Sequence, residues 1–485
     1  MLLNEYQWSR NPRGMHNFSA ASRMSIDALS QTGMGWAKLV TIGPDYLDNV
    51  QEMLRRNITP IVRVWRPRFG AGAPTNDLVG IWRAYYNIGV RWFEFYNEPN
   101  LDNEWQEGFL PDYRDMAGTI IPIMMNWLNF AEIIINMGGY PAFPALSESI
   151  GRHYDAPGWL NAMMLYLADN HFDRFRAIAN NGLWVATHPY FYNHFYQEGA
   201  GPLDPRPAGA QNANEGGWRF EYPYDPITQM DKPGLTAYSG PPDQPNGDPI
   251  GLCGMGHAFM YKFLTMFGGG AIPVVGTEGG LTPVPMSAGD HHRLDTRFPG
   301  YTWHSHGEAT VAMFNWIVDS APPWFFGVTL WKEDEYFANP GGVLPAVPRL
   351  AQTPPRYKSV PALDPLGGID PLAVQRGPGP IHGSPNYHFL ILAPGFSPAW
   401  FFQRGRAYWE RFKPTILPSV EYLANIPHEK SVGVTILTAP EMSTFLRAQI
   451  ADRYPNVWID MLPFTSADDV GAVLDERAIH GRRFG

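Results

Sequence analysis

The chain has 485 residues, of which 45% are hydrophobic and 14% aromatic, enough for two or three domains at about 150 residues each. A formal charge of −10 argues against a broadly basic nucleic-acid face, and a single cysteine, Cys253, excludes an internal disulfide framework. No run approaches the roughly 18 apolar residues of a membrane span.

The opening residues MLLNEYQWSR have no basic region ahead of an apolar stretch. No signal peptide is therefore read there, which leaves either a cytoplasmic protein or a secreted one whose leader has been removed. The 49 Gly and 47 Pro, beside 17 Trp, 23 Tyr and 28 Phe, imply many ordered, aromatic-bearing loops rather than disorder. Such loops on a rigid scaffold form binding faces.

Strand one is expected at 14–18 (GMHNF), with a helix through SIDALSQTG. WAKLV at 36–40 reads as strand two and DYLDNVQEMLRRN as its amphipathic helix. TPIVRVW at 59–65 gives strand three, NDLVGIWRAYYNIG the next helix, and VRWFEFY at 90–96 strand four. Strands separated by helical stretches imply parallel pairing. A helical region near 112–136 leads to AFPALS at 142–147 as strand five, and helical sequence at 158–180 to LWVATHPYF at 183–191 as strand six. IPVVGTE at 272–278 and WFFGVTLW at 324–331 complete eight, with helices through GHAFMYKFLTMFG and GEATVAMFNWIVDS. The expected fold is a (β/α)₈ TIM barrel over residues 1–338, with a long loop insertion after strand six at about 191–252.

Residues 339–385 read as a Pro/Gly-rich connector packed on the barrel. Residues 386–485 restart the strand–helix alternation and are expected to form a small α/β domain of unknown role, with room for further modules beyond the C-terminus.

In such a barrel the chemistry sits at the C-terminal ends of the strands. Strand four ends in Asn97-Glu98-Pro99 and strand seven in Thr277-Glu278-Gly279-Gly280. Two glutamates at the tips of the fourth and seventh strands face each other across the barrel mouth. Either motif alone occurs by chance; their matched positions carry the signal.

YNEPN at 96–100 and VVGTEGG at 274–280, with THPYF at 187–191 and TLW at 329–331, resemble the retaining glycoside hydrolases of clan A. The resemblance implies that Glu98 is the acid/base and Glu278 the nucleophile. It implies that Asn97 holds the sugar 2-hydroxyl, that His188 and Tyr190 orient the nucleophile, and that Trp331 is an aromatic platform. Its members often carry an Arg at the end of strand two and sometimes a His on strand three; this chain offers Lys38, and Arg63 with Arg66, as substrate contacts. After the strand-seven glutamate it has Gly-Gly where several families place an aromatic and a small residue. Retention requires one neutral carboxylic acid and one carboxylate about 5–5.5 Å apart.

Glu94 shares the side-chain parity of Glu98 and is expected to pair with Lys38 or Arg63. His16 is either a sugar contact or a packing residue, and His188 either a site residue or a satisfied core histidine. His291, His292, His304 and His306 lack metal-ligand spacing, so neither a catalytic metal nor a cofactor is expected. Trp218, Tyr222, Tyr224 and Tyr238 either form sugar platforms or pin the long loop, and Cys253 reads as a buried small hydrophobe. The function so read is hydrolysis of β-glycosidic bonds in oligo- or polysaccharides, with a carbohydrate substrate and no nucleic-acid partner. The alternative is a non-catalytic carbohydrate-binding or cell-wall-associated barrel.

Overall fold

Eight parallel strands close on themselves: β1 (Arg13–His16), β2 (Trp36–Thr41), β3 (Thr59–Val64), β4 (Trp92–Glu94), β5 (Tyr140–Phe143), β6 (Trp184–Thr187), β7 (Val274–Gly276) and β8 (Phe325–Leu330). Each pairs with its neighbours in chain order, and β8 returns to β1 through Arg13↔Val328. The computed structural model describes all residues except 150–152, 191, 200–203, 221–250, 283–297, 340–341, 368–386, 395, 427–431, 455–456, 465, 481–482 and 485. The connections are α1 (Ile26–Gln31), α2 (Leu47–Arg55), α3 (Asn76–Asn87), α4 (Ile121–Met137), α5 (Ala156–Asn170) with α6 (Phe172–Asn180), α7 (Gly254–Phe267) and α8 (Trp303–Asp319). This is the (β/α)₈ barrel expected from the alternation of strands and helices.

Much of the aromatic content lies at the floor of the barrel. Trp36, Trp92, Trp184 and Phe326 come from β2, β4, β6 and β8 and are all buried. A layer of four from alternate strands is how such barrels fill their interior. Trp92 is 5.0 Å from Trp36 and 5.2 Å from Trp184, ring centre to ring centre, and edge-on to both. From below, Trp8 stacks on Phe326 at 4.5 Å, and Tyr6 closes against Tyr140 at 5.0 Å. Two residues further along β2 and β4, and therefore facing the same interior, Lys38 and Glu94 form a fully buried ion pair. Arg63 of β3 approaches the same carboxylate to 4.0 Å.

Strand limits differ from expectation for physical reasons. β4 stops at Glu94, four residues short of Glu98, and β5 runs over 140–143 rather than 142–147. Pro144 has no N–H to continue the ladder. β6 and β7 end at Thr187 and Gly276, beyond which single bridges, Ser147↔His188 and Tyr190↔Gly280, carry the pairing upward.

One helical stretch, Met116–Met137, is long and apolar enough to cross a membrane, and half of it is buried within the protein. Ile123, Met124, Trp127, Leu128 and Ile134 are buried, and Trp127 Nε1 donates to Ala142 O of β5 at 2.7 Å. It is the crossover helix between β4 and β5.

The long insertion is tied down where it is described. Tyr196–Gln197 pairs antiparallel with Trp218–Arg219, and Ala213 N donates to Glu308 Oε2 on α8 at 2.7 Å. Trp218 is buried and stacks on Phe220, which meets Trp316 of α8, so this tryptophan anchors the loop. Tyr222, Tyr224 and Tyr238 lie outside the described residues.

In the following segment, Arg13 Nη1 donates to Leu350 O and Thr353 O at 3.1 and 2.9 Å, and Gly270 N donates to Pro365 O at 2.8 Å. These bonds lay residues 350–365 against the barrel. Beyond them β9 (Tyr387–Leu392), β10 (Thr415–Leu417), β11 (Val432–Thr438) and β12 (Val457–Pro463) form a parallel sheet in the order β10-β9-β11-β12. Its helix α9 (Pro440–Arg453) packs on α7 of the barrel. A buried bidentate pair, Arg477 to Asp460 at 2.6 and 3.1 Å, lies within this sheet's own layers.

Candidate active site

Glu278 lies two residues past β7, fixed by the backbone on both sides. Thr277 N donates to Thr187 O at 2.8 Å, Gly280 N to Pro189 O at 3.0 Å, and Trp331 N to Gly279 O at 2.9 Å. The Gly-Gly pair is required by this path. Gly279 has φ +141°, and a Cβ there would stand 2.5 Å from the carbonyl oxygen of Pro189. Gly280 has φ +89°.

Glu98 is reached differently. Its φ is +32°, an uncommon backbone state for a residue with a side chain and one that clusters at functional sites. The loop around it is held by Asn100, which is fully buried. Asn100 Nδ2 donates to Ser147 O and Tyr154 O, both at 2.8 Å, and Oδ1 accepts from Ser147 N at 2.9 Å. On the other flank Trp105 Nε1 donates to Pro99 O at 2.8 Å.

The two glutamates meet. Glu98, His188 and Glu278 offer side-chain N and O atoms that all lie within 4.8 Å of one another. Tyr190 Oη donates to Glu278 Oε2 at 3.0 Å. Around Glu278 Oε1 stand Arg63 Nη1 at 3.1 Å, His16 Nε2 at 3.5 Å and His188 Nε2 at 3.8 Å. His188, which the resemblance gives to the nucleophile, makes its shorter contact with the other carboxylate: Nδ1 is 2.8 Å from Glu98 Oε1. It bridges the pair.

Burial works against an ionised Glu278, but His188, Arg63 and His16 outweigh it and hold the carboxyl well below the usual carboxylate range. Burial keeps the Tyr190 phenol well above its ordinary value, and both glutamates push the same way. Tyr190 is thus a fixed donor. Burial lowers His16, with Glu278 opposing.

Asn97 is clamped from both ends: its Oδ1 accepts from Arg63, and its Nδ2 donates to Glu104 Oε1 at 2.7 Å. Burial raises the Glu104 carboxyl while Asn97 and Arg63 pull it down. Trp331 adjoins, its ring centre 4.5 Å from His16 and 6.1 Å from Tyr190. Lys38 sits a layer deeper against Glu94. Arg66 is turned outward to Asp77 and to Ile42 O.

The Glu98–His188–Glu278 spacing could hold a divalent ion. In this site, however, the Arg63 guanidinium already supplies positive charge beside Glu278. His304 reaches Gln211 O at 3.1 Å and His306 is fully buried; His291 and His292 lie outside the described residues.

Sequence reasoning missed Glu104 and Asn100. Asn100 closes the Asn-Glu-Pro-Asn motif, so its place beside Glu98 was an available signal. Glu104 lies on a short turn (Asp102–Glu104) with no periodicity to mark it.

No protein-family model matches the chain, and no curated protein does. Among solved structures it is similar to an endo-β-1,3-glucanase of GH128 subgroup II from Sorangium cellulosum, at 15% identity and TM-score 0.38, over 71% of this chain and 98% of that one. It is similar to the exo-β-1,4-mannosidase Op5Man5 from Opitutaceae bacterium strain TAV5, at 11% identity and TM-score 0.32, over 94% and 78%. It is also similar to a β-glucosidase from Exiguobacterium marinum, at 11% identity and TM-score 0.28, over 67% and 89%. At these identities no residue role passes from those proteins to this one.

Proposed function

We propose that this chain is a retaining β-glycosidase acting on oligo- or polysaccharide, with Glu278 as nucleophile and Glu98 as acid/base. The observation that carries the reading is that one carboxyl oxygen of Glu98 and one of Glu278 lie within 4.8 Å of each other, which is compatible with the separation of about 5–5.5 Å between carboxyl groups that double displacement uses. The surroundings support the division of roles. Glu278 is kept ionised by its neighbours, as a nucleophile must be. Glu98 shares a hydrogen bond with a histidine that can hold a proton at either end.

In the first step Glu278 attacks the anomeric carbon, the C1–O bond breaks, and Glu98 gives its proton to the departing oxygen. In the second, ionised Glu98 takes a proton from water as that water attacks C1, and the ester to Glu278 breaks. Asn97, locked between Arg63 and Glu104, presents an amide to the 2-hydroxyl, where hydrogen bonds strengthen toward the transition state.

The test is a panel of aryl β-glycosides and soluble β-glucans, mannans and xylans, assayed with wild type, Glu98→Gln and Glu278→Gln. Glu278→Gln should lower turnover by about a thousandfold or more. Glu98→Gln should spare a substrate whose leaving group needs no protonation, and added azide should restore its second step with formation of a β-glycosyl azide. A rate unchanged in Glu278→Gln on any substrate, or in Glu98→Gln on substrates whose leaving group needs protonation, overturns that residue's role. A wild type that binds carbohydrate and releases no product overturns catalysis.

A further inference from the structure

The turn that follows Asn97-Glu98-Pro99 brings a third carboxylate back to the site. Glu104 ends the turn Asp102–Glu104, and its Oε1 accepts from Asn97 Nδ2 at 2.7 Å. Among the described residues, Asn97 is the hydrogen-bond partner of this side chain. Burial works against a charge on Glu104, and Asn97 and Arg63 favour it. The side chain is not what holds the loop. Glu104 is tied through its backbone carbonyl, which accepts from Gly70 N at 2.8 Å. The chain around Glu98 is held by Asn100 on Ser147 O and by Trp105 Nε1 on Pro99 O, both at 2.8 Å.

Asn97 stands between two opposite charges. Its Oδ1 accepts from Arg63 Nη1, and its Nδ2 gives one hydrogen to Glu104. Turned over, the amide would set its N–H groups against a guanidinium, which only donates, and its C=O against a carboxylate, which only accepts when ionised. The two charges therefore admit one orientation. Arg63 alone would fix the oxygen end and leave the amide free to swing about it; Glu104 fixes the second point. What remains for a ligand is the other Nδ2 hydrogen, a donor.

The same Arg63 Nη1 stands 3.1 Å from Glu278 Oε1, so this amide lies beside the group that attacks C1. The substituent on the adjoining carbon, C2, is then the one within its reach. A donor there calls for an acceptor. A 2-hydroxyl oxygen is one, and the methylene of a 2-deoxy sugar is not.

We infer that Glu104 is a positioning residue: acting through Asn97, it makes the enzyme select glycosides that carry a hydroxyl at C2. The inference rests on the glycosidase reading.

The experiment measures kcat/KM on an aryl β-glucoside, an aryl β-mannoside and the aryl 2-deoxy-β-glycoside that corresponds to both. On the 2-hydroxy substrate that wild type cleaves, Glu104→Ala should lose about ten- to a hundredfold more than on the 2-deoxy one. That is the range of one hydrogen bond to a charged group. Glu104→Gln, whose amide oxygen can still accept from Asn97, should recover most of the difference. Added to Asn97→Ala, Glu104→Ala should cost less than about twofold more. Equal losses on both substrates would mean that the loop carrying Glu98 has moved, and would overturn the inference. A loss in the Asn97→Ala background as large as in wild type would overturn it too.

Calorimetric titration of Glu278→Gln with methyl β-glucoside, methyl β-mannoside and their 2-deoxy form, with and without Glu104→Ala, separates the two claims. No preference for a 2-hydroxy form, or one that survives Glu104→Ala, sinks the positioning role whatever the chemistry. A preference that Glu104→Ala removes, in a protein whose wild type cleaves no glycoside, keeps the positioning role and sinks the glycosidase reading.

Discussion

Arg63 Nη1 stands 3.1 Å from Glu278 Oε1, and both side chains are almost fully buried. A guanidinium in that position has two effects. With His188 and His16 it holds Glu278 ionised against the cost of burial, and it fixes Asn97 by bonding to Oδ1. Replacing Arg63 with Gln removes the charge, so the Glu278 carboxyl must rise. The ionised form is then lost at a higher pH as the solution is acidified. The acid limb of the kcat/KM profile should move upward in Arg63→Gln, and the plateau should fall by about a hundredfold, the scale of losing one preorganised donor. Arg63→Lys, which keeps the charge, should leave the limb nearer its wild-type position. An acid limb that stays fixed in Arg63→Gln would separate this arginine from the ionisation of Glu278.

The Gly-Gly pair gives a second expectation. A methyl group on Gly279 meets backbone, the carbonyl of Pro189 at 2.5 Å, at a φ that side-chain-bearing residues rarely adopt. On Gly280 the nearest atom is Leu330 Cδ2 at 2.8 Å, the movable end of a side chain. Gly279→Ala should therefore displace Glu278, lower kcat by tenfold or more, and cost about 1–3 kcal/mol in urea unfolding. Gly280→Ala, strained in φ but meeting only a side chain that can move aside, should cost less on both measures. The reverse order would mean that the Pro189 contact does not position Glu278.

How far the sequence could be read follows from the range of each interaction. The eight strands and their parallel order were legible because helix and strand periodicities alternate along the chain, and Glu98 and Glu278 could be placed because each follows such a run. Strand ends were not legible: β4 is three residues long, and Glu98 is held above it by Asn100 and Trp105 through loop contacts that no local pattern records. Glu94 was expected to pair with Lys38 or Arg63, and the barrel gives it Lys38 in direct contact, with Arg63 at 4.0 Å. The reach of Arg63 to Glu278, and of His188 to Glu98 rather than to Glu278 alone, depends on distances across the closed ring that only the assembled barrel sets. Aromatic abundance was read as loops of a binding face, but composition does not say where each ring goes, and Trp36, Trp92, Trp184 and Phe326 fill the floor of the barrel.

Asp155 provides a test away from the chemistry. It is the N-cap of α5, accepting from Gly158 N at 2.8 Å, and burial pushes its carboxyl from 3.8 to about 6. Because the folded value lies above the unfolded one, the folded state binds the proton more tightly. The stability this supplies is complete below about pH 3.8 and is lost as the pH rises through about 6. Asparagine can accept the same cap bond without ionising. Asp155→Asn should therefore match wild type in thermal melts near pH 4 and gain on it between pH 5 and 7, with an upper limit of about 3 kcal/mol at about 1.36 kcal/mol per unit. Asp155→Ala, which loses the cap, should fall below Asp155→Asn at every pH by about 1 kcal/mol. A gain in Asp155→Asn of the same size at pH 4 and pH 8 would show that the buried charge is not its cause.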